Sequence, residues 1–526
     1  MNYAVRPIAL LLLLAGTIVR AGPEVPDARR PLLDGGRLEE RTSGAFDISG
    51  RAQLFIDQVL VRSTENIAFT LHPGTKHPAN PLLVADRPWE GWRVSVYGSV
   101  IHDAEERLFK MWYQGDTSPS FPNFATYYAT SDDGIHWTKP SVGTATSAIS
   151  GEQHNAVLAE AHLASVTKDL AETDPARRYK MVCCIHLPKP EGGPHTYVSP
   201  DGLNWTRTSR EPICRSNDVI TAWHDRRTRQ WIALPKLSTV VRGPVRRCFG
   251  LSTSADFKTW TEPRYVFRPD QRDDAGSLAR IEAVRPLLDC PDDPSLMRTE
   301  FYGVGVYQHE SCVVAFPWVF TINNNGRYGN HEGPCEIQLA TSRDLDGWDR
   351  PFRNPIVPLG EAGAWDSGFL VTSTEALRVG DEIRLYYGGD NCTHGNPCRY
   401  REEGTGRGTR YTGGIGLASW KLDRFVSADA PREGGTLTTV PIVYSGKVLE
   451  LNAATTSAGS VVAELRAVGG ELLARSKPVR GDELRHRVAW KDDIAPQTFA
   501  GRPLTLRFVM SDARLFSFAF RDGEAD

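Results

Sequence analysis

The chain has 526 residues, of which 40% are hydrophobic and 24% are charged, so it is long enough to bury a large core. Its 61 basic and 64 acidic side chains leave a formal net charge of −3 at pH 7. Because no basic excess is available to neutralise phosphates, we expect no nucleic-acid partner.

The first 21 residues have the layout of a secretory signal peptide. A short basic region precedes an apolar run from Ile8 to Val19, and Val19 and Ala21 predict cleavage after Ala21. The run is short for a membrane span, although an uncleaved anchor is the alternative. We therefore expect a secreted or periplasmic protein that has no membrane attachment after cleavage.

From residue 50 onwards, short strands rich in Val, Ile, Tyr, Phe and Trp are separated by polar turns, which is typical of antiparallel hairpins. The first strand, Arg51–Val61, is predicted to help close a ring. Five sets of three or four strands follow, and they predict an all-β fold with a five-bladed β-propeller over residues 50–430. The first strands of the sets begin near Tyr97, Leu163, Asp218, Glu300 and Asp366.

Four of the five sets end in the pattern Ser-x-Asp-x-x-x-Trp. The spacing between copies is unequal, which favours blades with variable loops over a regular solenoid. The hydroxyl and the carboxylate can close a turn by bonding its backbone, and the tryptophan can fill the gap between blades. We therefore predict a structural role for the four aspartates, Asp133, Asp201, Asp256 and Asp344.

Past residue 434 the tryptophan pattern disappears while short apolar strands continue. Segments such as "VLELNA", "SVVAELRA" and "LTLRFVM" alternate apolar and polar residues. They predict a separate C-terminal β-sandwich over residues 434–522, which is the size of a common β module.

Several carboxylates stand where inner strands of the propeller are predicted to begin. Inner strands converge on the axis, so residues at their starts meet at one mouth. Asp218, Glu300 and Asp366 begin three of these strands, and Glu90 with its neighbour Arg93 precedes the first. Carboxylates from different blades at one mouth suit glycoside hydrolysis, although each could instead cap a strand or pair with a nearby arginine.

The catalytic assignment follows from that chemistry. Glu300 is predicted to be the general acid, and Asp218 or Asp366 the base or nucleophile. Glu90 is predicted to contact the substrate or to tune the pKa of the acid.

The remaining predicted site residues are those that would hold a sugar. Arg93 lies beside Glu90, and Trp89 and Trp365 stand near strand starts, where aromatic rings can stack on sugar faces. We expect a carbohydrate substrate and no cofactor. No metal is predicted, because His309, His331 and Cys335 do not have the spacing of a recognised site.

These residues resemble a known group of enzymes. The blade endings "YYATSDDGIHW" and "SADFKTW" and the inner hairpin "NDVITAWHDRRTRQW" are similar to those of the five-bladed propeller glycosidases around families 32, 43, 68 and 130. The resemblance spans about residues 50–522, and it is close to uncharacterised secreted bacterial proteins of the family-32 type. It implies a propeller with a sandwich behind it, and an acidic trio on the inner strands.

The sequence departs from the motifs of these families at two places, and two alternative functions are compatible with it. "PWEGWRVSVYG" stands where fructan hydrolases carry "NDPNG", and no "RDP" signature appears, so the substrate class is not inherited. One rival is a carbohydrate-binding propeller without catalysis. The other is a sialidase-like enzyme, since "TSDDGIHW" fits the Asp-box of that class as well.

Overall fold

A computed structural model describes residues 44–116, 124–145, 153–159, 161–188, 190–326, 330–395, 411–491 and 496–523. The predicted signal peptide lies outside the described residues. The described chain is nearly all β-structure, which confirms the predicted all-β class. Within the described ranges, no helix is long and apolar enough to cross a membrane.

Five short strands open the described chain. They are β1 (Phe46–Asp47), β2 (Gln53–Leu54), β3 (Val61–Glu65), β4 (Ala68–Leu71) and β5 (Thr75–Lys76). All five pair with strands that are much later in the sequence.

Three four-stranded antiparallel sheets follow, each with its strands in chain order. The first contains β6 (Arg93–Asp103), β7 (Leu108–Asp116), β8 (Phe124–Ser131) and β9 (Ala156–Ala159). The second contains β10 (Ala161–Lys168), β11 (Tyr179–Ile185), β12 (Gly193–Ser199) and β13 (Thr206–Arg207). The third contains β14 (Ile220–Asp225), β15 (Gln230–Val240), β16 (Val245–Ser254) and β17 (Arg264–Phe267).

Two short helices, α1 (Gln271–Ala275) and α2 (Ser277–Ala283), lead into a fourth group of strands. This group contains β18 (Arg298–Gln308), β19 (Val313–Ile322), the small hairpin of β20 (Asn324–Asn325) and β21 (His331–Glu332), β22 (Cys335–Ile337) and β23 (Ala340–Ser342). A fifth group contains β24 (Phe369–Thr372), β25 (Leu377–Val379), β26 (Glu382–Asp390) and β27 (Gly413–Lys421). One parallel bridge, Cys335 to Phe369, joins the two groups, except the separate hairpin of β20 and β21, and with β5 they form a single nine-stranded sheet.

The first strands of the five groups form a closed ring. β6, β10, β14, β18 and β24 contact one another in this cyclic order, and β24 contacts β6 again. The starts of β10 and β14 meet, since His162 Nδ1 lies 2.5 Å from the Asp218 carbonyl, and the ends of β6 and β10 meet, since Lys168 Nζ donates to Asp103 at 2.7 Å. A parallel bridge also links Val306 of β18 to Glu375, just after β24. These strands run in one direction, and we call the end where they begin the mouth of the ring.

The C-terminal strands form a second body at the other end of the ring. They are β28 (Val426–Ala430), β29 (Gly435–Thr439), β30 (Ile442–Val443), β31 (Val448–Ala467), β32 (Leu472–Arg475), β33 (Asp482–Arg487) and β34 (Leu504–Arg521). With β1 to β4 they make one eleven-stranded sheet, in which the long strands β31 and β34 pair along most of their length.

The prediction that Arg51–Val61 closes the ring is wrong. Within that segment, Gln53 and Leu54 pair with Phe518 and Ser517 of β34, because the buried Leu54 packs into the core of the C-terminal sheet. The strand that adds to the last sheet of the ring is β5, which pairs with β27.

The four Ser-x-Asp-x-x-x-Trp copies form tight turns, as predicted. At Asp201, one carboxylate oxygen accepts hydrogen bonds from Ser199 Oγ and from the backbone N–H groups of Leu203 and Asn204, at 2.8–2.9 Å. The tryptophan packs between sheets: in the fourth copy, Trp348 stacks on Phe267 of the third sheet with ring centroids 5.2 Å apart. The structural role predicted for these aspartates is confirmed.

Candidate functional site at the mouth of the ring

Asp218 lies at the mouth, two residues before β14, and forms an ion pair across the third sheet. The backbone places Lys236 of β15 opposite it, since Lys236 N donates to the Val219 carbonyl and Asn217 N donates to the Lys236 carbonyl. Lys236 Nζ is 2.6 Å from Asp218 Oδ1. The lysine side chain is 1% exposed and the aspartate side chain 34% exposed, so Asp218 is the partner that solvent or a ligand can reach.

Glu300, the third residue of β18, is held by two arginines. Arg247 of β16 donates to Oε2 at 2.8 Å, and Arg298, two residues away on the same face of β18, donates to Oε1 at 2.6 Å. The glutamate side chain is 3% exposed. Each oxygen of the Glu300 carboxylate therefore accepts a hydrogen bond from an arginine.

One tyrosine brings the two ion pairs together. Lys236 Nζ lies 4.3 Å from the centre of the Tyr302 ring, and the Arg247 guanidinium lies 5.5 Å from the same centre. Cations at these distances are attracted by the ring quadrupole. Asp218 and Glu300, from neighbouring sheets, therefore belong to one group, which we call the mouth cluster: Asp218, Lys236, Arg247, Arg298, Glu300 and Tyr302.

The surroundings of Asp218 keep it ionised. Desolvation raises the pKa of its carboxyl, but the charge of Lys236 and the neighbouring His162 outweigh this and hold the pKa well below its usual range. His162 Nδ1 lies 2.5 Å from the backbone carbonyl of Asp218, and burial lowers the pKa of this histidine. Asp218 is thus ionised at neutral pH, as a nucleophile must be, while its lowered pKa makes it a weak base.

Arg93 begins β6 and is enclosed between two carboxylates. Its Nε and one terminal nitrogen donate to Asp390 at 3.1 and 3.0 Å, and the other terminal nitrogen donates to Asp116 at 3.2 Å. The Tyr411 hydroxyl also donates to Asp390, at 2.7 Å. Burial lowers the pKa of Arg93, but Asp390, Tyr411 and Asp116 outweigh burial and raise it well above its usual value.

Asp366 has separate surroundings in the fifth group of strands. Its Oδ2 accepts hydrogen bonds from Lys76 Nζ of β5 at 2.6 Å and from the Tyr387 hydroxyl at 2.9 Å. Trp365 stacks on Tyr387, with ring centroids 5.5 Å apart. The N-terminal strand β5 therefore supplies the cation for this carboxylate.

Glu90 is fully buried beneath the first sheet. The Tyr113 hydroxyl donates to its Oε1 at 2.5 Å, and Lys139 Nζ donates to its Oε2 at 2.8 Å. Trp89 donates from Nε1 to Asn155 Oδ1 at 2.8 Å and packs against the core of the same sheet. These contacts fasten the segment that leads into β6.

The structure thus brings Asp218 and Glu300 together and gives Glu90, Arg93 and Asp366 partners of their own. Sequence reasoning missed Lys236, Arg247 and Arg298. A usable signal was present for Lys236, which is a cation inside the largely apolar run "WIALPKL", where an unpaired charge would be costly.

Two other observations bear on the location of the site. In the described ranges, no group of three His, Cys, Asp or Glu residues is close enough to hold a metal ion. A cavity of 1690 Å³ lies at the opposite end of the ring, between Gln308 and Glu375 on one side and Asn452 and Ser517 of the C-terminal sheet on the other. The predicted site residues do not line it, so we place the candidate site at the mouth.

No protein-family model and no curated protein matches the chain. Among solved structures, it is similar to a family 43 arabinoxylan arabinofuranohydrolase from Bacillus subtilis, with 12% identity, a TM-score of 0.37, and coverage of 86% of this chain and 99% of that one. It is also similar to a β-1,2-mannobiose phosphorylase from Listeria innocua, with 12% identity, a TM-score of 0.42, and coverage of 66% and 97%.

A third similar structure is an N-acetylgalactosamine deacetylase from F. plautii, with 14% identity, a TM-score of 0.39, and coverage of 69% of this chain and 96% of that one. TM-scores below 0.5 carry no conclusion about the activity of this chain.

Proposed function

We propose that this protein is a glycoside hydrolase built on a five-bladed β-propeller, and that it cleaves an O-glycosidic bond at the mouth of the ring. With a signal peptide predicted over residues 1–21, it would act after export. The observation that carries the proposal is the mouth cluster, in which Asp218 and Glu300 lie at the starts of neighbouring inner strands. Their separate cation partners, Lys236 and Arg247, both lie near the ring of Tyr302.

Asp218 is the base or nucleophile in this proposal. Lys236 and His162 hold its carboxylate ionised, and about a third of its side chain is open to a ligand. An ionised carboxylate beside the anomeric carbon either takes a proton from the attacking water or attacks the carbon itself, according to its distance from the acid.

Glu300 is the general acid in this proposal. Arg247 and Arg298 each donate to one of its two oxygens, and in this proposal the substrate displaces one arginine as Glu300 takes up a proton. Arg247 is the arginine to be displaced, because its side chain is 23% exposed and that of Arg298 is 10% exposed. Once protonated, Glu300 can donate to the leaving oxygen.

The first test is hydrolysis of a panel of aryl α- and β-glycosides by the full chain and by two isosteric variants, Asp218→Asn and Glu300→Gln. General acid–base groups contribute on the order of 10²–10⁴-fold to rate, so each variant should lose about that much kcat. Asp346→Asn is the matched control, since Asp346 is an exposed carboxylate paired with Arg264 on the outside of the ring. It should keep full activity.

Two results would contradict the proposal. Full activity of Asp218→Asn would show that Asp218 and the mouth cluster take no part in catalysis. Binding of glycans by the full chain without any turnover, and unchanged in both variants, would favour a carbohydrate-binding propeller without catalysis.

A further inference from the structure

The charges at the mouth are unevenly distributed. On the side of the third and fourth sheets, three cations (Lys236, Arg247 and Arg298) face two carboxylates (Asp218 and Glu300), which leaves one positive charge. His331 contacts Arg298, but burial and the neighbouring Arg247 and Arg298 lower its pKa, so it adds no charge at neutral pH. The surplus on this side is one unit.

The opposite side of the mouth has the reverse surplus. Arg93 there is enclosed by two carboxylates, Asp116 and Asp390, which leaves one negative charge. The pair of Lys76 and Asp366 is balanced. An anionic ligand is therefore attracted to the side of the mouth cluster and repelled from the side of Arg93.

Arg247 is the group that can meet such a ligand. It is the most exposed cation of the cluster, and within the described chain its guanidinium makes a single hydrogen bond, to Glu300. The ring of Tyr302 on one side and that of Phe320 on another, each about 5.5 Å away, flank the guanidinium. Four of its five N–H donors remain, in the planar fork that matches a carboxylate.

We propose that the substrate of this site is an acidic glycan whose uronic-acid carboxylate binds Arg247; this inference rests on the proposed function. The same contact explains how Glu300 becomes an acid. When the substrate carboxylate binds Arg247, the arginine no longer donates a hydrogen bond to Oε2 of Glu300. This oxygen can then accept a proton from solvent and donate it to the leaving oxygen. A neutral sugar leaves Arg247 on Glu300 and is a poor substrate.

The test compares matched pairs of substrates, the 4-methylumbelliferyl glucuronides and galacturonides with the glucosides and galactosides, in both anomeric forms. The full chain should hydrolyse one uronide with a kcat/KM at least tenfold above that of its neutral counterpart. Arg247→Met should lower kcat/KM for the uronide about ten- to a hundredfold, the range for a charge-assisted contact, and should lower it less, or raise it, for the neutral sugar. Arg247→Lys keeps the charge but not the planar fork, so its kcat/KM for the uronide should lie between those of the full chain and of Arg247→Met.

Arg264→Met is the matched control. Arg264 also lies in the third sheet, but it pairs with Asp346 on the exposed outer side, so the preference for uronides should be unchanged. An equal loss on acidic and neutral substrates in Arg247→Met would show that Arg247 only orients Glu300, and would overturn the inference.

Binding to Asp218→Asn gives a readout that does not depend on turnover. This variant should bind glucuronic or galacturonic acid more tightly than glucose or galactose by calorimetry, and the difference should shrink between 50 and 500 mM NaCl. Preference for a 6-sulfated sugar over the uronic acids would overturn the assignment to a carboxylate. Hydrolysis of neutral glycosides alone would overturn this inference and leave the proposed function standing, whereas no hydrolysis of either class would overturn the proposed function.

Discussion

His309 shows how a single buried residue fastens the ring to the C-terminal sheet. It lies in the hairpin between β18 and β19, at the end of the ring opposite the mouth, and its Nε2 is 3.3 Å from Asp423 Oδ1. Asp423 also accepts a hydrogen bond from Ser517 of β34 at 2.9 Å. Burial lowers the pKa of His309, but the Asp423 carboxylate outweighs burial and raises it to about 10.

This pair predicts a stability that depends on pH. The folded pKa of about 10 lies above the unfolded value near 6.5, so the stabilisation is fully present below pH 6.5 and is lost as the pH rises through 10. His309→Gln should lower the free energy of unfolding by about 3 kcal/mol at pH 6, since it leaves Asp423 buried without its cation, and by much less near pH 10.

Urea unfolding of the full chain and of His309→Gln at pH 6, 8 and 10 measures this difference. His102→Gln serves as the control, because His102 is an exposed histidine of β6. A loss that is the same at all three values would mean that the variant changes packing rather than an ion pair.

Among the structural elements, the Ser-x-Asp turns and the mouth cluster should respond differently to loss of an aspartate. Substitution in a turn should lower stability, whereas substitution in the mouth cluster should lower activity. Asp201→Ala removes the acceptor of two backbone N–H groups and one hydroxyl, as loss of a helix cap does, and should cost about 1–2 kcal/mol. Its kcat per folded molecule should be unchanged. Thermal unfolding together with the glycoside assay checks this prediction. A loss of activity without loss of stability would indicate that the turn belongs to the active site.

The strands were predictable where apolar residues form a run or an alternating pattern bounded by turns. The run "YKMVCCI" coincides with β11, Tyr179–Ile185. The short outer strands β13 and β17 were missed, because they have only two and four residues. The helices α1 and α2 were also missed, since each is only two turns or less and lies in a polar connection.

The site was only partly predictable, and for a different reason. Asp218 and Glu300 follow from the rule that inner strands begin at one mouth. Lys236 and Arg247 come from the second and third strands of the same sheet, and their approach to the mouth depends on strand register. A single sequence carries no direct information on register between β14, β15 and β16, so the approach of these two cations to the mouth was not predictable.

At the scale of the whole molecule, the two ends of the chain build one sheet. β2 pairs with β34, β3 with β29 and β4 with β28, so the C-terminal sheet has four strands from residues 46–71. The predicted sandwich over 434–522 therefore shares its sheet with the N-terminus. Leu54 and Phe55 of the N-terminal segment are buried in the same core as Phe508 and Phe518.

This arrangement predicts that neither end folds alone. The isolated segment 434–526 should be unfolded or aggregated, because it would expose the edges that β1, β2, β3 and β28 cover. A chain ending at residue 430 should lose cooperative unfolding as well, since β1, β2 and β3 would have no partners. Circular dichroism with thermal unfolding measures both, and a sharp transition in the isolated C-terminal segment would contradict the prediction.

The pairing of β2 with β34 also sets the order of events during biosynthesis. The strands near residue 50 leave the ribosome first, yet their partners near residue 510 are among the last to emerge. Contacts so distant in sequence form slowly and late. The complete fold can therefore form only when the chain is nearly finished, so the strands near residue 50 remain without their partners during most of synthesis.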